Sequence, residues 1–271
     1  MKFEKWQGCG NDFVLIDKMN DELSSELDVE RICDRHFGIG SDGLILARPS
    51  KVAAVRMQMF NPDGSEAEMC GNGIRCFAKY LLEHEIVGGE KIPIETGAGV
   101  LTVELDGDNV KVDMGEPITE GERIPVSGFG DRRIIDEPIT IDGREFKMTC
   151  VSMGNPHCVV FVDDLNSIDI GSLGPKFETH EKFPRKINTE FVEVTDRSTL
   201  RMRVWERGAG ITLACGTGAC ATAVAGVLSG RSERRVKIIL DGGELELEWR
   251  ERDNHVMMSG PARKVFGGRI D

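Results

Sequence analysis

The 271-residue sequence has no long apolar run, no low-complexity tract and no Cys-x-x-Cys pair. A bilayer-spanning helix needs roughly 18 or more consecutive apolar residues, so we expect no membrane span. Residues 1–6 include basic side chains with no apolar stretch behind them, so we expect no signal peptide and a cytoplasmic location. The missing Cys-x-x-Cys pair argues against a thiol redox protein, whose cysteines must lie close enough to pair.

The sequence also has fewer basic than acidic residues, with 34 Lys and Arg against 46 Asp and Glu, which gives a net charge of −12. Nucleic acids and anionic membranes would repel such a chain, so we expect neither as a partner. A local pocket can differ in charge from the whole, and the expected partner is a small-molecule substrate. The length and the 40% hydrophobic content suit two globular domains.

Eight cysteines are present, but their spacing does not match a metal site. Zinc ligands usually come as Cys-x2–4-Cys pairs, with a second pair completing the site. Five residues separate Cys70 from Cys76 and four separate Cys215 from Cys220, and no nearby pair completes either. We therefore expect reduced thiols, with no metal and no disulfide framework.

The chain repeats itself. Cys70-Gly71-Asn72-Gly73 recurs 145 residues later as Cys215-Gly216-Thr217-Gly218, and Gly10-Asn11 recurs 144 residues later as Gly154-Asn155. Two copies of one unit predict a pseudo-two-fold pair of domains that brings the two cysteines to face each other. We predict domains at residues 1–115 and 116–261, with residues 262–271 returning to the first.

Each half contains several short strand patterns and few helices, which predicts an α+β fold. Apolar faces at helical spacing predict one helix after each cysteine, at residues 73–85 and 218–228, and a weaker helix at residues 25–35. The second of these is apolar on nearly every side, which indicates a buried helix. We expect a mixed sheet or barrel wrapped around a central helix in each domain. The predicted strands are residues 13–16, 55–60, 100–105, 158–162, 200–205 and 244–249.

A cysteine at the start of a helix lies beside backbone N–H groups that have no partner within the helix. Their partial positive charge favours a thiolate, so we expect the pKa of Cys70 and Cys215 to fall below the free value of roughly 8.5. The neighbouring glycine amides can also bind a carboxylate. Two opposed thiols flanking one carbon are what a racemase or epimerase requires. The alternative interpretation, two small buried hydrophobic residues, does not account for the repeated Gly-x-Gly.

Two segments carry a resemblance to a known family. Asn61-Pro62-Asp63-Gly64-Ser65, followed after four residues by Cys70-Gly71-Asn72-Gly73-Ile74-Arg75, resembles the signature of the diaminopimelate epimerase family. Residues 8–12, 152–157, 205–210 and 213–220 resemble further segments, so the resemblance covers residues 1–271. It implies the interconversion of LL- and meso-2,6-diaminopimelate, in lysine and peptidoglycan precursor synthesis, without pyridoxal phosphate, any other cofactor or a metal. Dimers occur in the family, so it also suggests a homodimer.

The resemblance implies a role for each matching residue. Cys70 and Cys215 would be the two bases, one as thiolate and one as thiol, and His157 and Glu206 would lie by the reacting ammonium. Arg207 would bind the distal carboxylate by its planar guanidinium. The remaining expected substrate contacts are Asn11, Asn61, Gly71, Asn72, Asn155, Asn188, Gly216 and Thr217, together with Glu206.

Two positions depart from a common form of the family. Gly43 stands where some members carry a substrate-facing Gln, and Ile211 stands where many carry Glu. We assign no ligand role to either residue. The rival interpretations are a proline or hydroxyproline-type racemase, which tends to carry histidine at the position of Asn72, and a catalytically silent amino-acid-binding protein, which the presence of both cysteines disfavours.

Overall fold

The computed structural model describes residues 1–20 and 27–270 of the chain. They form two compact units, Met1–Asp113 with Ser259–Asp271, and Met114–Met258. The first unit is discontinuous in sequence because the last strand of the chain belongs to it. Among the described residues, none of the helices combines the length and the apolar character needed to cross a bilayer.

In the first unit, a mixed sheet surrounds one long helix. Its described elements are β1 (Lys2–Gly8), β2 (Asn11–Asp17), α1 (Val29–Cys33), β3 (Gly43–Arg48), β4 (Val55–Phe60), β5 (Glu66–Ala67), α2 (Gly71–Glu83), β6 (Lys91–Thr96), β7 (Gly99–Asp106), β8 (Asn109–Asp113) and β18 (Arg263–Arg269).

The second unit has the same plan. Its elements are β9 (Glu137–Ile141), β10 (Arg144–Ser152), β11 (Pro156–Val162), a 3-10 turn (Leu165–Ser167), α3 (Ile170–Glu178), β12 (Asn188–Asp196), β13 (Thr199–Glu206), β14 (Gly210–Thr212), α4 (Gly216–Leu228), β15 (Arg235–Leu240) and β16 (Gly243–Trp249). The strand β17 (Val256–Pro261) includes the boundary between the units.

Strand pairing follows one order in both units. In the first, β1 is antiparallel to β2, β2 is parallel to β3, and β3 is antiparallel to β4. A parallel β4–β6 pair and an antiparallel β6–β7 pair follow. In the second, β10, β11, β12, β13, β15 and β16 repeat this series with the same directions. The predicted duplication and the α+β class are therefore confirmed.

The long helix of each unit packs on several strands. Helix α2 contacts β1, β2, β3, β8 and β18, and α4 contacts β10 to β13, β15 and β16. Ile74, Phe77, Ala78 and Leu81 on the predicted apolar face of α2 are fully buried, and α4 is buried on almost every side. Because strands contact each helix along its length, the sheet fixes the position of the first residue of each helix.

The predicted strands are confirmed, but the helix limits need correction. Both long helices have 13 residues and begin two residues earlier than predicted, directly after Cys70 and Cys215. Glycine has a low helix propensity, which hid the first turns in the sequence. Of the weaker helix predicted over 25–35, residues 25 and 26 lie outside the described part, and the helix itself spans Val29–Cys33. Helix α3, with Pro175 inside it, was not predicted.

Candidate active site

Cys70 and Cys215 are the N-cap residues of α2 and α4. Both have extended backbone, with φ −138° and ψ 125° at Cys70 and φ −123° and ψ 111° at Cys215. Their carbonyl oxygens accept the first helical hydrogen bonds, from Ile74 and Ala219. The amides of the residues in between belong to the first turn, where no helical acceptor is available. Each unit thus places a thiol beside a group of amides able to bind an anion.

In the first unit, Asn11 connects the thiol to the sheet. The Cys70 Sγ lies 3.6 Å from Asn11 Oδ1, and the Asn72 side-chain amide donates to the same oxygen at 3.2 Å. The Asn11 amide in turn donates to Asp42 at 2.7 Å. Three of the predicted site residues in this unit therefore lie together, with Asn11 held from the side of the sheet by a carboxylate.

Arg75 stabilises the start of α2 through hydrogen bonds to Gly71 and Asn72. Its side chain is fully buried and donates to the Gly71 carbonyl at 3.0 Å and to Asn72 Oδ1 at 2.8 Å. It also reaches the carbonyl of Pro261 at 3.4 Å. Because its planar guanidinium has five donors in a fixed geometry, Arg75 fixes the orientation of the Asn72 amide.

A charged cluster lies behind Asn11. Asp12 accepts from Arg35 and from Lys5, and Asp42 accepts from Arg35 at 2.7 Å. Burial alone would raise the pKa of Asp12, but hydrogen bonds from Arg35 and Lys5 lower it to about 2. Asp12 therefore stays ionised across the neutral range, and its ion pairs hold the strand that carries Asn11.

Asn61 closes a turn after β4. Its backbone N–H donates to the Ser65 carbonyl, and its side-chain amide donates to Ser65 Oγ at 3.0 Å. Gly64 has a φ of +79°, which suits glycine at this turn. The structure thus gives Asn61 a local structural role, and a substrate contact remains a proposal.

The two positions that depart from the family pattern have different surroundings. A Cβ on Gly43 would lie 2.8 Å from the carbonyl oxygen of Phe60, so β3 and β4 are too close for a side chain to be added without a shift. Ile211 in β14 is about half exposed, at 48%. Neither residue has a polar side chain that could contact a substrate.

In the second unit, a chain of polar side chains leads from the thiol into the core. Cys215 Sγ accepts from the Gly218 N–H at 3.4 Å and lies 3.5 Å from Thr217 Oγ1. The Asn155 amide donates to Thr217 Oγ1 at 3.2 Å, and Asn155 Oδ1 lies 3.0 Å from His157 Nε2. His157 is fully buried, so it meets Asn155 and not the surface.

The chain ends at Glu190, which the sequence analysis did not single out. His157 Nδ1 lies 2.7 Å from Glu190 Oε1, and both side chains are completely buried. The other carboxylate oxygen of Glu190 has no hydrogen-bond partner among the described residues. The repeat could have revealed Glu190, because its counterpart 145 residues earlier is the apolar Ile45.

Cys215 does not have the lowered pKa that the sequence predicted for a helix start. Burial, followed by the negative charges of Glu206 and Glu190, raises the pKa of Cys215 well above that of a free thiol. The hydrogen bonds from Thr217 and the Gly218 amide act in the opposite direction and are outweighed. In this unit burial and the nearby carboxylates therefore outweigh the helix terminus, and the thiol form of Cys215 is favoured.

Glu206, at the end of β13, is the other carboxylate that interacts with Cys215. Burial raises the pKa of Glu206, although hydrogen bonds with Thr212 and Cys215 counteract this. Thr212, which donates to Glu206 Oε1, was not singled out in the sequence. Glu206 and Cys215 are therefore in direct contact, as two groups that share a proton-transfer site would be.

Asn188 and Arg207 lie at neighbouring ends of the paired strands β12 and β13. Asn188 is buried, donates to the Pro156 carbonyl at 2.7 Å and accepts from the backbone N–H of Arg207 at 2.9 Å. The exposed Arg207 side chain donates to the Arg185 carbonyl at 3.0 Å. Asn188 therefore positions the backbone from which Arg207 extends.

His157, Glu190 and Cys215 also include donor atoms within 4.8 Å of one another. A thiol, an imidazole and a carboxylate are donors that zinc accepts. Both ring nitrogens of His157, however, already face the oxygens of Glu190 and Asn155. A metal ion could bind His157 only after one of these hydrogen bonds was broken.

Comparison with known proteins identifies relatives that match the sequence of both units. A sequence profile of the family described as diaminopimelate epimerase matches residues 3–120 and 149–265. The diaminopimelate epimerase of Moorella thermoacetica is 53% identical over 275 residues, covering 99% of this chain and 98% of that protein. That of Acetivibrio thermocellus is 54% identical over 278 residues, covering 100% and 99%.

Solved structures with low sequence identity have the same fold. A Bacillus anthracis phenazine biosynthesis protein of the PhzF family has a TM-score of 0.71 at 16% identity, covering 100% of this chain and 99% of that one. A hydroxyproline epimerase from Agrobacterium vitis has a TM-score of 0.70 at 14% identity, covering 100% and 90%. With the fold, the paired cysteine-capped helices and relatives above 50% identity in agreement, this chain belongs to the diaminopimelate epimerase family.

Proposed function

We propose that this chain interconverts LL-2,6-diaminopimelate and meso-2,6-diaminopimelate by moving one α-proton, without a cofactor. The observation that carries the proposal is the pair of cysteines at equivalent places in two units of like fold, each followed by Gly-x-Gly at a helix start. The proposal also draws on the family relationship, since relatives 53% and 54% identical over nearly their whole length bear this name.

In this mechanism one cysteine acts on each face of the same Cα. A thiolate at one cysteine takes the α-proton and becomes a thiol, while the thiol at the other cysteine gives its proton to the opposite face. The carbon is inverted and the two cysteines exchange protonation states. Atoms and charges balance, so the reaction needs no further reactant.

The α-proton of an amino acid is weakly acidic, so the charge that forms on the carboxylate must be stabilised. The amides of Gly71, Asn72, Gly216 and Thr217, at the two helix starts, are suited to bind that carboxylate as charge builds up. These donors are fixed by their helices before the substrate binds, so little reorganisation is required.

The remaining roles follow from position and charge. Glu206, beside Cys215, pairs with the reacting ammonium, and Arg207 binds the distal carboxylate with two parallel hydrogen bonds. Asn11, Asn61, Asn155 and Asn188 are the further substrate contacts that the family resemblance implies. His157 acts through Asn155, since it is buried behind that residue.

The cellular setting belongs to the same proposal. The activity serves lysine and peptidoglycan precursor synthesis in the cytoplasm, with the enzyme as a homodimer. A proline or hydroxyproline substrate is disfavoured, because the hydroxyproline epimerase shares 14% identity and shows only a common fold. The residue after Gly71 is Asn72, whose amide is held by Arg75, and not the histidine of those enzymes.

The decisive experiment measures exchange of the α-proton. LL-diaminopimelate is incubated with the enzyme in deuterium oxide without added cofactor, and deuterium at Cα is followed by NMR and mass spectrometry. We expect label in the meso product from the wild-type protein and none with proline as the control. Cys70→Ala and Cys215→Ala should each abolish turnover while diaminopimelate still binds in calorimetry. Near-normal turnover in either variant would refute the two-thiol mechanism.

A further inference from the structure

The surroundings of Cys70 and Cys215 differ at two equivalent positions. At the offset of 144 that relates Gly10-Asn11 to Gly154-Asn155, His157 corresponds to Phe13. At the offset of 145 that relates the two cysteines, Glu190 corresponds to Ile45. The parallel strand pairs agree in register, since Phe13 pairs with Gly43 in one unit and His157 with Asn188 in the other. The cysteine of the first unit thus has two apolar residues where the cysteine of the second has an imidazole and a carboxylate.

The space under each helix start shows the same difference. A Cβ on Gly73 in α2 would lie 3.2 Å from Ile45 Cδ1 and 3.5 Å from the Phe13 ring. A Cβ on the equivalent Gly218 in α4 would lie 2.6 Å from Glu190 Oε1 and 3.2 Å from Cys215 Sγ. The Glu190 carboxylate therefore lies directly beneath the turn that carries the thiol.

Stability alone does not explain the buried pair. His157 and Glu190 are completely buried, and one oxygen of Glu190 has no hydrogen-bond partner among the described residues. Removing an ion from water is costly, and replacing such a pair by apolar residues is often neutral or stabilising. The first unit packs the same place with Phe13 and Ile45, which are both fully buried. A polar pair in the second unit therefore points to a chemical role.

The charged and titratable groups around Cys215 come from three strands. Glu206 comes from β13, Glu190 from β12 and His157 from β11, while α4 itself contributes hydrogen bonds from Thr217 and the Gly218 amide. The reactive atoms of Cys215, His157 and Glu190 lie within 4.8 Å of one another. His157 holds Glu190 at 2.7 Å and so prevents the carboxylate from turning away from the sulfur.

We propose that Glu190 is a positioning residue that, held by His157, keeps Cys215 as the proton-carrying thiol in the substrate-free enzyme. A carboxylate beside a sulfur disfavours a second negative charge there. Cys215 then begins the catalytic cycle as the proton donor. This proposal rests on the proposed function in one respect, which is that Cys215 takes part in the reaction.

The test measures the protonation of each cysteine without substrate. Wild type, Glu190→Gln and the control Thr189→Val are exposed to iodoacetamide across a pH series, and alkylation of each cysteine is quantified by peptide mass mapping. Thr189 lies next to Glu190 on β12, on the opposite face, and is equally buried. The midpoint pH of alkylation reports the thiolate fraction and does not depend on how accessible the sulfur is.

In Glu190→Gln we expect the midpoint for Cys215 to move to lower pH, so that Cys215 is alkylated roughly three- to tenfold faster at about pH 8. The midpoint for Cys70 should not move, and Thr189→Val should match wild type. The alkaline limb of the pH profile of kcat/KM should move to lower pH, together with the alkylation midpoint of Cys215. An unchanged Cys215 midpoint in Glu190→Gln would overturn the proposal, whatever the activity.

The wild-type protein gives a second test in case Glu190→Gln does not fold. Cys215 should then show a higher midpoint pH of alkylation than Cys70 in the same sample. The reverse order would overturn the proposal. Neither measurement uses diaminopimelate, so a failure of the proposed substrate would leave both results interpretable.

Discussion

Replacing Arg75 should unfold the first unit more readily, although Arg75 contacts no part of the proposed substrate. Its guanidinium donates to the Gly71 carbonyl at 3.0 Å and to Asn72 Oδ1 at 2.8 Å, in a completely buried position. Arg75→Met fills much of the same volume but leaves both acceptors without these donors. The Gly71 carbonyl keeps its hydrogen bond within the helix, but Asn72 Oδ1 loses a donor in the core. Such a loss costs about 1–3 kcal/mol, which is the decrease that we expect in the free energy of unfolding.

Urea denaturation followed by circular dichroism measures this change, with two further variants as controls. Arg75→Lys keeps the charge but loses the planar pair of donors, so its loss should be smaller. Lys79→Met lies one turn further along α2, where its side chain is only partly buried, and should stay within about 0.5 kcal/mol of wild type. A loss below about 1 kcal/mol in Arg75→Met would refute the assignment of Arg75 as the support of the Asn72 amide.

Two further predictions concern charge and space. In Asp12→Asn, unfolding at neutral pH should require about 1–2 kcal/mol less, because Arg35 and Lys5 lower the folded pKa of Asp12 to about 2. This stabilisation is present above the unfolded pKa of about 3.9 and is lost as the pH falls toward 2. The difference in unfolding free energy between wild type and Asp12→Asn, measured by urea titration, should therefore disappear near pH 2. A difference that stays constant with pH would contradict the prediction. Gly218→Ala should be about 1–2 kcal/mol less stable than the matched Gly73→Ala, because it displaces Glu190 from His157; equal melting curves would count against this.

The sequence was most informative where the repeat supported it. The duplication predicted two like-folded units and one buried helix behind each cysteine, and both features are confirmed by the pairing of the strands and the burial of α2 and α4. Periodicity placed the apolar face of α2 correctly. It did not predict the first turns, because Gly71 and Gly216 are helical for reasons of packing and capping and not of propensity.

Long-range contacts account for most of what was missed. Arg75 stood in the recognised motif, yet its bond to the Pro261 carbonyl joins residues far apart in sequence. Helix α3 contains a proline and two glycines, so its pattern did not resemble a helix. The predicted low pKa of Cys215 was wrong because the fold buries the sulfur and brings Glu206 and Glu190 to it from other strands.

The first strand of the chain hydrogen-bonds to β2 and, on its other edge, to β18, with Lys2 opposite Arg269. During translation, the ribosome must therefore release almost the whole chain before this edge can close. The second unit is continuous from Met114 to Met258 and meets no such delay. On a ribosome that synthesises from the N-terminus, the later-made half should mature first, and the earlier-made half should wait with an open sheet edge for chaperones to protect.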